Sequence, residues 1–139
     1  MNDSNRIFWD ESYKIVGAAK EVYRNLGSGF TEAVYQEAME IEMKNQGIAF
    51  IREQSLSIEY KGFKLQKTFR VDFVCYNGII LELKAISELN DECYAQIYNY
   101  LKASGMNLGL LINFGNTGFE HKRVIRRKEW DIPHYTNQF

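Results

Sequence analysis

A chain of 139 residues is long enough for one domain with a real core, and its ordinary apolar and high aromatic content exclude a disordered protein. No apolar run approaches a membrane span and the first ten residues lack the blocks of a signal peptide, so the reading is a cytoplasmic protein with reduced thiols at Cys75 and Cys93. The net charge of −1 excludes a whole-protein nucleic-acid footprint; yet residues 1–60 hold ten acids and six bases, and residues 61–139 eight and eleven, so a polyanion would meet the second half.

In chain order, Ile15, Ala19, Val22, Tyr23 and Leu26 have helical spacing within 11–26, and Gly27 stops that helix. Thr31 is a good N-cap for a second helix that runs to about Gln46, with Glu32 in its first turn and Tyr35 and Met39 at i+3 and i+7. Glu32 alone has a bland explanation, since an acid there complements the helix dipole. After Gly47 the period becomes two. Leu56, Ile58 and Tyr60 alternate with polar residues, Lys61-Gly62 makes a hairpin turn, and Phe63, Leu65, Phe69, Val71, Phe73 and Cys75 continue one apolar face.

The opposite face of that strand, Lys64 to Val74, starts polar and ends apolar, which leaves Asp72 where solvent gives way to core. The next strand, Ile79 to Ala85, is apolar on both faces apart from Glu82 and Lys84 and is predicted to be central. Asn90 or Asp91 caps a third helix over 91–104, closed by Gly105, with a stripe of Tyr94, Ile97, Tyr98 and Leu101 and with Gln96 and Tyr100 one turn apart beside it. Leu108 to Phe114 reads as a buried strand reached by a helical crossover, hence parallel to its partner. Gly115 to Gly118 is a loop, and residues 119–130 form a basic C-terminal segment that ends the domain, spanning 1–139. The expectation is an α/β fold of the α+β sandwich kind: a mixed central sheet flanked by helices, ordered αβββαβ with an extra N-terminal helix.

The turn between the two charged strands decides the chemistry. A two-residue loop at Asn77-Gly78 puts the Asp72 carboxylate on the wrong face. A three-residue loop, Tyr76-Asn77-Gly78, pairs Asp72 with Glu82 and Arg70 with Lys84, and Gly78 supplies its left-handed position. The three-residue loop is favoured. Two facing carboxylates then repel unless a cation lies between them.

The order αβββαβ, with Asp72 and then Glu82-Leu83-Lys84 on adjoining strands, resembles the PD-(D/E)XK nuclease superfamily. The segment Gly29-Phe30-Thr31-Glu32-Ala33-Val34-Tyr35 is similar to the signature of the small bacterial GxxExxY proteins, and Gln96 with Tyr100 to the Q-x-x-x-Y helix of RecB-related nucleases. The likeness runs from about Ile15 to Arg127 and implies the restriction-endonuclease-like fold. It also implies that Asp72, Glu82, the Leu83 main-chain carbonyl and, through water, Glu32 hold Mg²⁺ or Mn²⁺. Lys84 would orient the attacking water, while Gln96 and Tyr100 would hold the substrate backbone or buttress Lys84. Arg70, Tyr35, Lys122, Arg123 and Arg126 complete the expected substrate contacts. Two departures stand out: Val71 replaces the leading proline, and Cys93 stands where relatives often carry histidine.

Blander readings remain beside these. Arg70 and Lys84 would neutralise the acids in a structural ion-pair network. Gln96 and Tyr100 would be a helix-surface pair, and the basic segment a solvated edge rather than a phosphate contact. The expected activity is metal-dependent hydrolysis of DNA, ahead of RNA, by a chain that forms a homodimer to grip a duplex. A silent module that binds nucleic acid or protein is the alternative.

Overall fold

A computed structural model of the chain describes residues 6–128; residues 129 and 130 of the basic segment lie outside it, as does Pro133. Helix α1 (Trp9–Leu26) and helix α2 (Glu32–Asn45) precede strands β1 (Phe50–Tyr60), β2 (Phe63–Cys75) and β3 (Ile79–Lys84). Helix α3 (Asp91–Ser104) then crosses to β4 (Leu108–Gly115), and β5 (Gly118–Ile125) ends the series. One five-stranded sheet has the order β1-β2-β3-β4-β5, antiparallel except for the parallel β3–β4 pair. The predicted crossover and the central position of β3 are both present.

Strand β5 corrects the expectation of a basic tail. It pairs with β4 from Leu108↔Ile125 to Gly115↔Gly118. Lysines and arginines at 122, 123 and 126 obscure an alternation in which Phe119 and Ile125 pack on one core and Val124 on the other.

Each helix lays down a line of side chains at four-residue intervals, which keeps them on one face. In α2 the buried line is Tyr35, Met39 and Met43. In α3 it is Cys93, Ile97 and Leu101, so the expected stripe shifts by one position and Tyr94 and Tyr98 flank it. Asn90 caps α3 by accepting the Cys93 N–H. Thr31 occupies the N-cap of α2 without a side-chain capping bond.

Two cores lie on opposite faces of the sheet. Helices α1 and α2 close one over Phe73, Cys75, Leu81, Leu83 and Phe114. Helix α3 closes the other over Val71, Val74, Ile80 and Leu111. The apolar face of β2, read as continuous, is therefore divided: Phe73 and Cys75 go to the first core, Val71 and Phe69 to the second. The division falls at Asp72. Across from it on β1, Glu53 has φ 53°, a left-handed conformation that costs a non-glycine residue roughly 1–3 kcal/mol. Beyond Leu56 and Phe69, which still pack on the second core, the β1–β2 ribbon leaves it, and Tyr60, Phe63 and Leu65 are exposed.

Candidate active site

Cys75 pairs with Ile79, so the β2–β3 loop has three residues, Tyr76, Asn77 and Gly78. That is the length needed to bring Asp72 opposite Glu82. The left-handed residues are Tyr76 (φ 53°) and Asn77 (φ 55°), not Gly78. Gly78 instead makes room for Phe8: a Cβ there would stand 2.5 Å from the tip of the Phe8 ring, which would have to shift.

The β2–β3 ladder runs Cys75↔Ile79, Val74↔Ile80, Phe73↔Leu81 and ends. From there the two acids join the strands through their side chains. The Asp72 N–H donates to Glu82 Oε1 at 3.0 Å, and the Leu83 N–H donates to Asp72 Oδ2 at 2.7 Å. Neighbouring N–H and C=O groups of one extended residue point the same way, so the Leu83 carbonyl also faces this opening. Glu82 is 7% exposed and Asp72 half-buried.

Burial, and then the charge of Asp72, push the Glu82 carboxyl up to about 8. Burial likewise raises Asp72, opposed by the Leu83 N–H, Lys84 and Gln36. Glu32 is raised by burial and by Asp72 while Lys84 pulls it down, so the α2 acid feels the same site. Burial raises the Tyr100 hydroxyl, with Glu82 and Asp72 adding to it. The residues form one electrostatic unit.

Lys84 Nζ donates to Gln96 Oε1 at 3.0 Å, which links β3 to α3. Beside them a cleft of about 450 Å³ is lined by Glu32, Lys84, Ile86, Asn90, Cys93 and Gln96, among others. The Tyr100 ring stacks on Phe69 with centroids 4.4 Å apart. Arg70 reaches Glu53 at 3.9 Å and is largely exposed. A second cavity of about 340 Å³, between α1 and β5, has no acid in its lining.

The loop after Lys84 is clamped. Asn113 is fully buried on β4; its Oδ1 accepts the Ile86 N–H, and its Nδ2 donates to the Ile86 carbonyl and to Glu120. Glu120 accepts the Leu89 N–H, and Thr117 donates to the Ser87 carbonyl. These bonds fix where α3 begins and hence where Gln96 meets Lys84.

Two of the expected substrate contacts are engaged within the fold. Tyr35 is fully buried, stacks on Phe114 at 4.3 Å and donates to the Gly27 carbonyl at 2.6 Å, so its ring has no surface to offer a substrate. Arg123 is bound to the Ser12 hydroxyl and the Ile7 carbonyl, with its guanidinium over Trp9, so it ties α1 to β5. Lys122 lies on β5 in the row of Glu82, two strands away, and the Arg126 N–H caps the Asn107 carbonyl.

The residues that sequence reasoning missed are Gln36 and Arg52. Gln36 Nε2 donates to Asp72 Oδ1 at 3.0 Å, and Arg52 donates to the Gln36 oxygen. The signal lay in α2, where Glu32, Gln36 and Glu40 repeat every fourth residue beside the apolar line.

Among the described residues, no three acid, histidine or cysteine side chains converge as metal ligands.

A model of the PD-(D/E)XK nuclease superfamily matches residues 9–127. Among curated proteins none matches the chain. A solved structure titled "Crystal structure of SSO0001" is similar at a TM-score of 0.53 and 16% identity, covering 68% of this chain. The match takes in 49% of that chain, so it spans about half of its length, and at this identity it shows the fold alone.

Proposed function

The chain belongs to the PD-(D/E)XK nuclease superfamily, and from that premise we propose a Mg²⁺- or Mn²⁺-dependent nuclease that hydrolyses phosphodiester bonds, of DNA ahead of RNA. By its Gly29 to Tyr35 motif we group it with the GxxExxY proteins. One observation carries the reading. Asp72 and Glu82 face each other where β2 and β3 separate, and among the described residues the ion pairs formed by lysine and arginine go to Glu21, Glu40 and Glu53 rather than to either acid. Arg70 is paired with Glu53, and Lys84 with Gln96. This favours the metal reading over a structural ion-pair network. Burial and the facing charge of Asp72 hold Glu82 up at about 8, and a divalent cation bound there would offset both.

The donors suit a hard cation: carboxylate oxygens of Asp72 and Glu82 and the Leu83 carbonyl. When bound, the cation supplies Lewis-acid stabilisation to the phosphodiester. Lys84 has three N–H donors and gives one to Gln96, so two remain to orient the attacking water and offset phosphate charge. Glu32 accepts a hydrogen bond from that water at the cleft wall. Tyr100 buttresses the Lys84–Gln96 side, and the exposed Arg70 meets the substrate backbone.

The test is incubation with single-stranded, duplex and branched DNA and with RNA, in Mg²⁺ or Mn²⁺. Cleavage is expected to fall by roughly a hundredfold or more in Glu82→Ala and in Lys84→Ala, and to stop in EDTA. Equal activity in wild type and both variants would mean contamination and overturn the proposal. Salt-sensitive binding without turnover in any metal would replace it with the binding module. We also propose a homodimer on duplex substrates; light scattering that finds a fully active monomer removes that part.

A further inference from the structure

The row Glu32, Gln36, Glu40 on α2 does more than face the site. Arg52, from β1, binds two of its members. Arg52 Nε and Nη2 donate to Gln36 Oε1 at 3.2 and 2.9 Å, and Arg52 Nη1 donates to Glu40 Oε1 at 3.1 Å. Gln36 then donates to Asp72 Oδ1 at 3.0 Å.

The direction of this chain is forced. A guanidinium carries donors only, so the Gln36 oxygen must face Arg52 and the nitrogen must face Asp72. Glu40 holds the other end of the fork and stops the guanidinium from turning away. Asp72 Oδ2 already accepts the Leu83 N–H. Both oxygens of Asp72 are therefore held by donors, one from a helix and one from the neighbouring strand. The terminal torsion of an aspartate is otherwise broad and nearly two-fold, so each oxygen would sample a range of positions.

We infer that Gln36, fixed by Arg52 and Glu40, is the positioning residue that sets the Asp72 carboxylate for the cation. The inference rests on the metal-dependent reading above and adds residues to it that touch neither the cation nor the substrate. It also assigns α2 two tasks at successive turns: Glu32 faces the cleft, and Gln36 orients the ligand behind it. Partners of this kind commonly change metal affinity ten- to a hundredfold when removed. A tie that only fastened α2 to the β1–β2 ribbon would change stability and leave affinity alone.

Calorimetric titration with Mn²⁺ separates these cases, with each variant measured at a temperature where circular dichroism finds it folded. Gln36→Met keeps the length of the side chain and removes the donor. It is expected to raise the Mn²⁺ dissociation constant ten- to a hundredfold. Arg52→Leu frees the amide to flip and is expected to raise it severalfold. Arg52 is a third exposed on an edge strand, so that variant carries the test if Gln36→Met does not fold. Wild-type affinity in either folded variant overturns the positioning role and leaves the nuclease reading standing. A wild-type protein that takes up no Mn²⁺ overturns the metal-dependent reading, and the positioning role with it.

Discussion

The two sides of β3 are built differently. Towards β4 it makes six successive pairs, from Ile79↔Leu108 to Lys84↔Asn113, four of them between apolar residues and glycine. Towards β2 it makes three, and then two carboxylates take over. One side makes the strand rigid; the other uses that rigidity. A strand held on both sides would have no opening, and one held on neither could not keep two repelling acids face to face.

The closed side should break hardest. Leu110 is fully buried on β4, and Leu110→Ala is expected to cost about 2–5 kcal/mol in urea unfolding. A loss well under 1 kcal/mol would mean that β4 is not the support. On the open side the expected effect is a pH dependence. Glu82 is raised in the folded chain from 4.5 to about 8, so between those values the folded state binds more protons than the unfolded. Stability of the metal-free protein is then full below about 4.5 and declines as pH rises through about 8, by up to roughly 5 kcal/mol. Asp72 and Glu32, also raised, add in the same direction. Denaturation in EDTA at acid, neutral and alkaline pH reads the slope, and Glu82→Gln should flatten it; a slope of the opposite sign would refute the assignment. The smallest effect is at the start of α3. Asn90→Ala removes the cap on the Cys93 N–H and should cost about 1 kcal/mol in the same assay.

Much of this comparison was legible in the sequence, for local reasons. Alternation and one loop length were enough to set Asp72 against Glu82, and helical spacing to set Gln96 beside Tyr100. What escaped depended on contacts between distant parts of the chain. Gly78 invited a left-handed reading because nothing local announces that Phe8, seventy residues earlier, packs against it. Tyr35 sits in a motif that suggests surface chemistry, and only the ring of Phe114 beneath it makes it a core residue. Gln36 and Arg52 are ordinary polar residues until α2 and β1 are brought together. Strand β5 was hidden by its own charges: as an edge strand it turns part of its length to solvent, and so its alternation reads as a basic run.

The bonds that join Asp72 and Glu82 to the main chain have a consequence for observation. In most carboxylate pairs the charge state is silent to the backbone. Here the amide protons of Asp72 and Leu83 end on the carboxylates themselves. Proton uptake, or arrival of a cation, must change the strength of those two bonds first. In a ¹⁵N-labelled sample the two amide resonances would therefore act as a built-in indicator, one for each acid, readable without a substrate.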